Sequence, residues 1–573
     1  MVGTYAGIDD KKLYDILSEL NYVPEEELKR AQAIASAESI SLYDALLKSD
    51  IISDENLGKL IAYSLQLPFT SLAQASIPED ILHITPQAVA AQFHVLTYGM
   101  DEEKGLKIAA SNHLQTDVFD MLAKKAGVKN YRVFFATDRD IQDALRLYKK
   151  ELGLAFESLL ASKTGDVQVE VPVAKIVDTV IDYAYINKAS DVHIEPTRGV
   201  TLVRFRIDGI LHDMVRLPHA THGQLVARIK VLARLRTDEH FSAQDGRMRM
   251  SVEQEDLDVR VSIVPTVTGE KVVLRLLSSH NRQFSLTDLG MGEADLKKIR
   301  AGFMRPFGMV MSTGPTGSGK TTSMYAILKI LNTREKNIAT IEDPVEYEID
   351  GINQIQANPK TNLTFANGLR SLLRQDPDIM YVGEIRDEET ADIAINSAMT
   401  GHLVLSTLHT NNAATTLPRL MDMKIEPFLV ASTVNVIIGQ RLVRKICDRC
   451  RVSFELKKTE HGWHGEEEAT ATQLSHIDPK QLSRHFGDGS SVRLYKGKGC
   501  NVCHETGYRG RVGIFEVLEV SPKIEALITQ KADADAILQQ AISEGMTTMM
   551  DDGLDKVQQG ITTVGEIMRA TRA

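Results

Sequence analysis

The chain has 573 residues, of which 43% are hydrophobic and 25% charged, with a formal net charge of −11. These values fit a globular protein of about three or four domains, and the acidic balance argues against nucleic acid as a partner. No apolar run is long enough to span a bilayer and MVGTYAGIDDKK lacks a charged-then-apolar leader, so a cytoplasmic protein with no membrane-spanning helix is expected.

Residues 1–150 are expected to form a mostly helical module. KLYDILSELNYVPEEELKRA (12–31) is echoed 29 residues later by SLYDALLKSDIISDENLGKL (41–60). Leu13/Leu42, Tyr14/Tyr43, Asp15/Asp44, Leu17/Leu46, Glu26/Glu55 and Leu28/Leu57 are identical pairs. Leu13, Ile16, Leu17 and Leu20 share one helical face, which predicts two similar helical hairpins packed together. A ligand or partner site between the two copies is the alternative. FHVLTYGM and YRVFFAT, within 66–146, read as short strands of a small α/β continuation.

Residues 151–170, with Gly153, Ser158, Ser162, Gly165 and Asp166, read as a flexible linker. Residues 171–285 then read as a compact α+β domain. A helix over Val173–Tyr185 presents Ile176, Val177, Val180, Ile181 and Ala184, and a second helix is expected over Gly223–Leu235. After ASDVHIEP (189–196), the stretches TLVRFRIDGILHDMV (201–215), LDVRVSIVP (257–265) and EKVVLRLL (270–277) alternate as strands do. Arg204, Arg206, Arg260 and Arg275 recur on them. Such arginines are ordinary ion-pair partners. Grouped beside a nucleotide site, they can instead stabilise charge developing during phosphoryl transfer.

Residues 286–573 read as a nucleotide domain. Met309-Val310-Met311 is a buried strand, and it stops at Gly314-Pro315-Thr316-Gly317-Ser318-Gly319. Lys320, Thr321 and Thr322 follow, and Met324, Ile327, Leu328 and Leu331 then form a helical stripe. Strand, glycine loop and helix are the context in which a GxxxxGK[ST] match cradles phosphates. Glycines let successive N–H groups turn towards phosphate oxygens, and the helix N-terminus adds partial positive charge. Lys320 would reach the β/γ-phosphates and the Thr321 hydroxyl would ligate Mg²⁺.

Three further buried strands are expected at Ile338–Ile341, Ile379–Val382 and Leu403–Thr407. Acids and a histidine fall at or beyond their carboxyl ends, where open α/β sheets bind ligands. Glu342, Asp343, Glu346, Glu384 and His409 are therefore expected to line one edge facing the phosphates. One acid would hold Mg²⁺ and another would orient or deprotonate the attacking water. Gly383 stands where a Walker B aspartate is usual, so Glu384 takes that place.

All four cysteines lie in two CxxC pairs, Cys447/Cys450 and Cys500/Cys503, separated by 49 residues. Two such turns can present four thiolates tetrahedrally to Zn²⁺, and a closed Cys₄ site is structural. HGWHGEEEATAT (461–472), including His461 and His464, is expected to be an exposed loop. From Ile524 onward the chain is expected to be helical, punctuated by Gly545, Gly553 and Gly560, without chemistry.

GPTGSGKTT, TIEDPVEY, LRQDPDIMYVGEIRD and TGHLVLSTLHTN resemble the Walker A, Asp-box, Walker B and His-box motifs of secretion ATPases. With ASDVHIEP, FRIDG, GQRLVRKIC and both CxxC pairs, they are similar to the type IV pilus assembly and type II secretion branch of that family. The resemblance implies an α/β multidomain chain. A RecA-like P-loop NTPase domain would follow an α+β (PAS-like) domain and a mostly helical N-terminal module. It also implies a cytoplasmic homohexamer that hydrolyses ATP with Mg²⁺ and drives an inner-membrane platform protein to assemble pilin. It casts Glu346 as the candidate base, Glu384 as the residue assisting Mg²⁺, and His409 as the His-box histidine near the phosphates, with His402 second. Arg206 and Arg260 would be arginine fingers, with Arg275 a third candidate.

The N-terminal module and the cysteines favour assembly over retraction. A type II secretion ATPase remains the alternative, and a scaffold without turnover or a DNA translocase are further alternatives. Some assembly relatives bind cyclic di-GMP through a tandem N-terminal motif. Here its Arg-Leu-Gly openings are Lys12-Leu13-Tyr14 and Ser41-Leu42-Tyr43, and its turn glycines are Asn21 and Asp50. Loss of the stacking, phosphate-pairing arginine predicts no cyclic di-GMP site.

Overall fold

Leucines that recur in the sequence echo meet in space. Leu13, Leu17 and Leu28 of the first copy, and Leu42, Leu46 and Leu57 of the second, are buried in one cluster. In this computed structural model the copies are helices Asp10–Glu19 and Glu25–Glu38, then Leu42–Lys48 and Asp54–Ser64. The structure describes residues 10–145, 173–277 and 285–571, apart from 20–22, 24, 39, 49–51, 53, 73–74, 76, 102–104, 113–114, 253–254, 460–461, 466 and 488–490. The expected linker at 151–170 lies outside the described residues, as do Leu20, Asn21, Asp50 and His461. The α/β continuation is a three-stranded sheet of Val95–Asp101, Gly105–Ala110 and Tyr131–Phe135. Its middle strand, GLKIAA, carries no clear alternation and is not evident from the sequence.

The next domain is a six-stranded antiparallel sheet. Its order is Ile210–Pro218, Val200–Ile207, Asp191–Pro196, Gly269–Leu277, Glu255–Thr266 and Gln244–Val252. Helices Val173–Ile186 and His222–Leu232 pack with it around Ile176, Val180, Ile194, Phe205 and Leu274. The expected face Ile176, Val177, Val180, Ile181 and Ala184 is buried throughout. Register places Arg206, Asp191, Arg275, Arg260 and Arg247 in one row across five strands.

The nucleotide domain is a seven-stranded sheet. Its order is Asn353–Gln356, Ile338–Glu342, Ile379–Val382, Leu403–Leu408, Gly308–Thr313, Val434–Ile446 and Tyr508–Glu519. The first six run parallel and the last is antiparallel. The central strands are buried end to end, as a sheet covered by helices on both faces requires. The edge strand Asn353–Gln356 and the two long strands were not among the expected elements.

Two expectations fail here. The described part of 461–472 is not a loop: strand Gly462–Gly465 pairs with Arg451–Thr459, and helix Glu468–Leu474 buries Ala471 and Leu474. Gly553 does not punctuate the C-terminal helices but lies inside Met549–Gln558, where a Cβ would stand 2.9 Å from Ile567. Gly545 and Gly560 do end helical stretches, with φ of 90° and 72°. Among the described residues no helix is long and apolar enough to cross a membrane.

Candidate active site and metal centre

Strand Gly308–Thr313 delivers the chain to the glycine loop, and helix Lys320–Leu331 leaves it. Gly319, the residue before that helix, has φ 90°, a left-handed turn that glycine adopts without strain. Gly314 is forced by close approach, since a Cβ would sit 2.3 Å from the Gln440 carbonyl. Gly317 leaves its outer side open, with nothing within 4 Å of a Cβ position. The Ser318 hydroxyl is buried and makes no hydrogen bond in this structure. Lys320 Nζ donates to the Gly314 and Pro315 carbonyls at 2.8 and 3.1 Å. Burial pulls its pKa down to about 8, against the opposing pull of Glu384. Open loop, buried hydroxyl and half-desolvated ammonium together fit a phosphate chain.

Gln440, on the neighbouring long strand, braces this loop. Its amide nitrogen donates to the Ser318 carbonyl at 2.8 Å, and its oxygen accepts from Ser323 at 2.8 Å and Ser312 at 3.2 Å. No spacing in the sequence marks it; only its place in GQRLVRKIC does.

Glu384 follows strand Ile379–Val382 and is paired with Arg386 at 2.5 Å and His409 at 3.3 Å. Burial lowers the His409 pKa, and Lys320 adds to this, while Glu384 opposes it. Lys320, Glu384 and His409 thus feel one another's charge. Thr321 is the first hydroxyl of the helix, and the buried Tyr381 lies on strand Ile379–Val382. Thr321 and Glu384 supply the hard oxygen donors that suit Mg²⁺.

Glu342 departs from expectation. Its carboxyl does not face the phosphates but is buried, held by the Tyr325 hydroxyl, by Thr340 at 2.6 Å and by Gln354 at 3.2 Å. Burial raises its pKa. The same Tyr325 hydroxyl accepts from the Glu346 backbone N–H at 3.3 Å. Asp343 is exposed at the same edge. His402 sits at the opposite, amino end of its strand, its ring nitrogen 3.1 Å from the Ser397 carbonyl.

Contacts from Arg260, Arg247 and Asp208 seat the six-stranded domain on the carboxyl edge of the nucleotide sheet. Arg260 reaches Glu346 at 3.2 Å and donates to the Val345 carbonyl at 2.6 Å. Arg247 donates to Gln356 at 2.8 Å, and Asp208 accepts from the Gly510 N–H at 2.7 Å. Arg206 stays on its own sheet, donating to the Gly209 carbonyl at 2.9 Å and lying 3.8 Å from Asp191. Arg275 also pairs with Asp191, at 2.9 Å, and Arg204 with Asp213, at 3.1 Å. Arg247 was not among the candidate residues.

The cysteines converge. Cys447, Cys450, Cys500 and Cys503 are buried, with all four sulfurs within 4.8 Å of one another. Three sulfur–sulfur separations are 3.9, 3.9 and 3.7 Å. Four thiolates about 2.3 Å from a tetrahedral zinc would stand about 3.8 Å apart, so the cluster fits Zn²⁺. His464 lies outside it, exposed on strand Gly462–Gly465.

A phosphate loop on a parallel sheet, with acids at adjoining strand ends, defines an ATP-hydrolysing P-loop enzyme. Residues 166–569 match the family described as "Type II/IV secretion system protein", and the chain belongs to that family. Residues 65–153 match the MshEN domain. The "Type IV pilus assembly ATPase PilB" of Myxococcus xanthus is 35% identical over 98% of this chain and 99% of its own length. The "Type II secretion system protein E" of Pectobacterium carotovorum is 42% identical over 71% of this chain and 77% of its own. Among solved structures, the ATPase DotB of Legionella pneumophila has a TM-score of 0.51 at 20% identity. It covers 71% of this chain and 97% of DotB, and shows the shared fold.

Proposed function

We propose that this chain is the cytoplasmic ATPase motor of type IV pilus assembly. It would work as a homohexamer on an inner-membrane platform protein, and ATP turnover would drive pilin polymerisation. The observation that carries this is the Arg260–Glu346 pair, which ties the six-stranded domain to the candidate base of the nucleotide domain. The end-to-end similarity to PilB supports the pilus assignment. In this proposal the loop residues Gly314 to Thr322 hold the triphosphate, with Lys320 on its β/γ end. Glu346 orients and deprotonates the attacking water, and His409 and Glu384 flank the γ-phosphate. Thr321 and Glu384 would hold Mg²⁺, which when bound neutralises phosphate charge. Arg260, and Arg206 after domain movement, serve as arginine fingers. The four cysteines hold a structural zinc.

The tandem N-terminal motif is proposed not to take cyclic di-GMP. Tyr43, standing where the family motif has glycine, is buried, with its hydroxyl on Asp54 at 2.5 Å. Calorimetric titration of the full chain with the dinucleotide tests this, and saturable binding would refute it. The 42% identity to type II secretion protein E over the shared core favours a second reading, a secretion motor. Deletion in the source organism separates the two. Loss of surface fibres with normal protein secretion is expected, and loss of secretion with fibres intact would favour the second.

A further inference from the structure

Between Cys447 and Cys450 lie Asp448 and Arg449, and Arg449 is buried although it is charged. Its guanidinium reaches into the N-terminal module. There it meets Asp54 at 2.9 Å and Asp140 at 3.4 Å. Asp54 also accepts from the Tyr43 hydroxyl at 2.5 Å and the Thr137 hydroxyl at 2.7 Å. Asp140 accepts from the Leu72 N–H at 2.6 Å. Tyr43 belongs to the tandem helices, while Thr137 and Asp140 belong to the α/β continuation. One arginine therefore engages a carboxylate shared by both halves of the module. At the rim, Arg139 pairs with Asp448 at 2.7 Å.

We infer that the first CxxC loop is the socket that docks the N-terminal module onto the nucleotide domain, so that metal occupancy fixes the position of that module. Burying a guanidinium is unfavourable unless carboxylates lie beside it, and here Asp54 and Asp140 do. Asp448 and Arg449 are flanked on both sides by metal ligands. A bound ion fixes their two ends, which sets the direction of both side chains. Losing the ion frees the loop and misaims Arg449, leaving Asp54 and Asp140 facing each other without their shared cation. The metal half of this inference rests on the zinc reading of the cysteines. The docking half rests on the Arg449 contacts alone.

The test uses the full chain, with hydrogen exchange read at the amides of Thr137–Ala144 and zinc measured per chain. Arg449→Gln should speed exchange there by about tenfold or more with zinc unchanged, and small-angle scattering should show a larger radius of gyration. Asp448→Arg should have the same direction of effect, and adding Arg139→Asp should restore protection by reversing the rim pair. Removing zinc from the wild type with a chelator should release the module as Arg449→Gln does. Unchanged exchange in Arg449→Gln that retains zinc would overturn the docking. Full protection in the metal-free chain would overturn the coupling to metal while leaving the docking standing.

Discussion

Arg260 and Glu346 stand 3.2 Å apart across the junction of two domains, and the same guanidinium holds the Val345 carbonyl. Each residue is therefore positioned by the other's domain. Burial lowers the Arg260 pKa and Glu346 counters it, so the pair is partly desolvated. In the proposed motor, a change in domain angle would break or remake this contact. Arg260→Ala should lower kcat about a hundredfold, the loss a misplacement of order 1 Å produces. Arg260→Lys should not restore it, because an ammonium lacks the two-pronged reach to carboxylate and carbonyl. Steady-state phosphate release checks both, and an Arg260→Ala chain with wild-type kcat would remove the pair from the mechanism.

Glu346→Gln keeps the shape of the candidate base and removes its proton affinity. Turnover should fall by about 10²- to 10⁴-fold while ATP still binds. Fluorescent-nucleotide binding beside a phosphate-release assay separates the two steps. Equal activity of wild type and variant would leave Glu346 without its role.

Lys320 gives a pH signature. Its pKa in the folded chain is about 8, below the ordinary 10.5, because burial disfavours the charge. Below about pH 8 both folded and unfolded chains hold the proton, and the burial penalty is fully present. As pH rises from about 8 towards 10.5 the folded chain releases its proton first, so the penalty fades and stability recovers. A bound triphosphate pulls the pKa back up. ATP binding near pH 9 should therefore take up a proton, and affinity should weaken by up to about tenfold per pH unit above 8. Calorimetry in two buffers of different ionisation enthalpy measures the uptake. Lys320→Met should abolish it, and proton-neutral binding by the wild type would contradict the assignment.

The sulfur spacing predicts one zinc per chain. Cys500→Ser should lower zinc content and reduce Tm by at least about 5 °C, as loss of a closed structural site does. Elemental analysis with thermal denaturation checks it, and a fully folded, metal-free chain that takes up no zinc would dispose of the site.

The central strands and the glycine loop were legible because a buried parallel strand is an unbroken apolar run and the loop has fixed spacing. The repeat was legible because its identical leucines are the ones buried together. Contacts between polar side chains far apart in the chain leave no such trace. Gln440 braces the loop, Arg247 holds Gln356 and Asp208 holds Gly510, yet nothing in their local sequence names those partners. Glu342 misled for a related reason. Its strand-end position says that an acid is at the edge, but only Tyr325, Thr340 and Gln354 decide that it turns inward.

That inward turn carries the last prediction. Tyr325 is buried among Tyr347 and Tyr381, with ring centroids 4.7 and 6.2 Å away. Its hydroxyl donates to Glu342 and accepts from the Glu346 N–H, so it joins the buried carboxyl to the segment that carries the candidate base. Tyr325→Phe keeps the ring packing and deletes that joint. A buried carboxyl losing its donor costs about 1–3 kcal/mol, which for a unit the size of the nucleotide domain is a Tm decrease of about 2–5 °C. If the hydroxyl only supports the fold, kcat and KM will stay at wild-type values below the melting range. If it positions Glu346, kcat should fall about tenfold with KM for ATP nearly unchanged, because the loop that grips the phosphates is untouched. Steady-state kinetics well below Tm distinguishes the two, and Glu342→Gln, which also disturbs the joint, should shift kcat in the same direction.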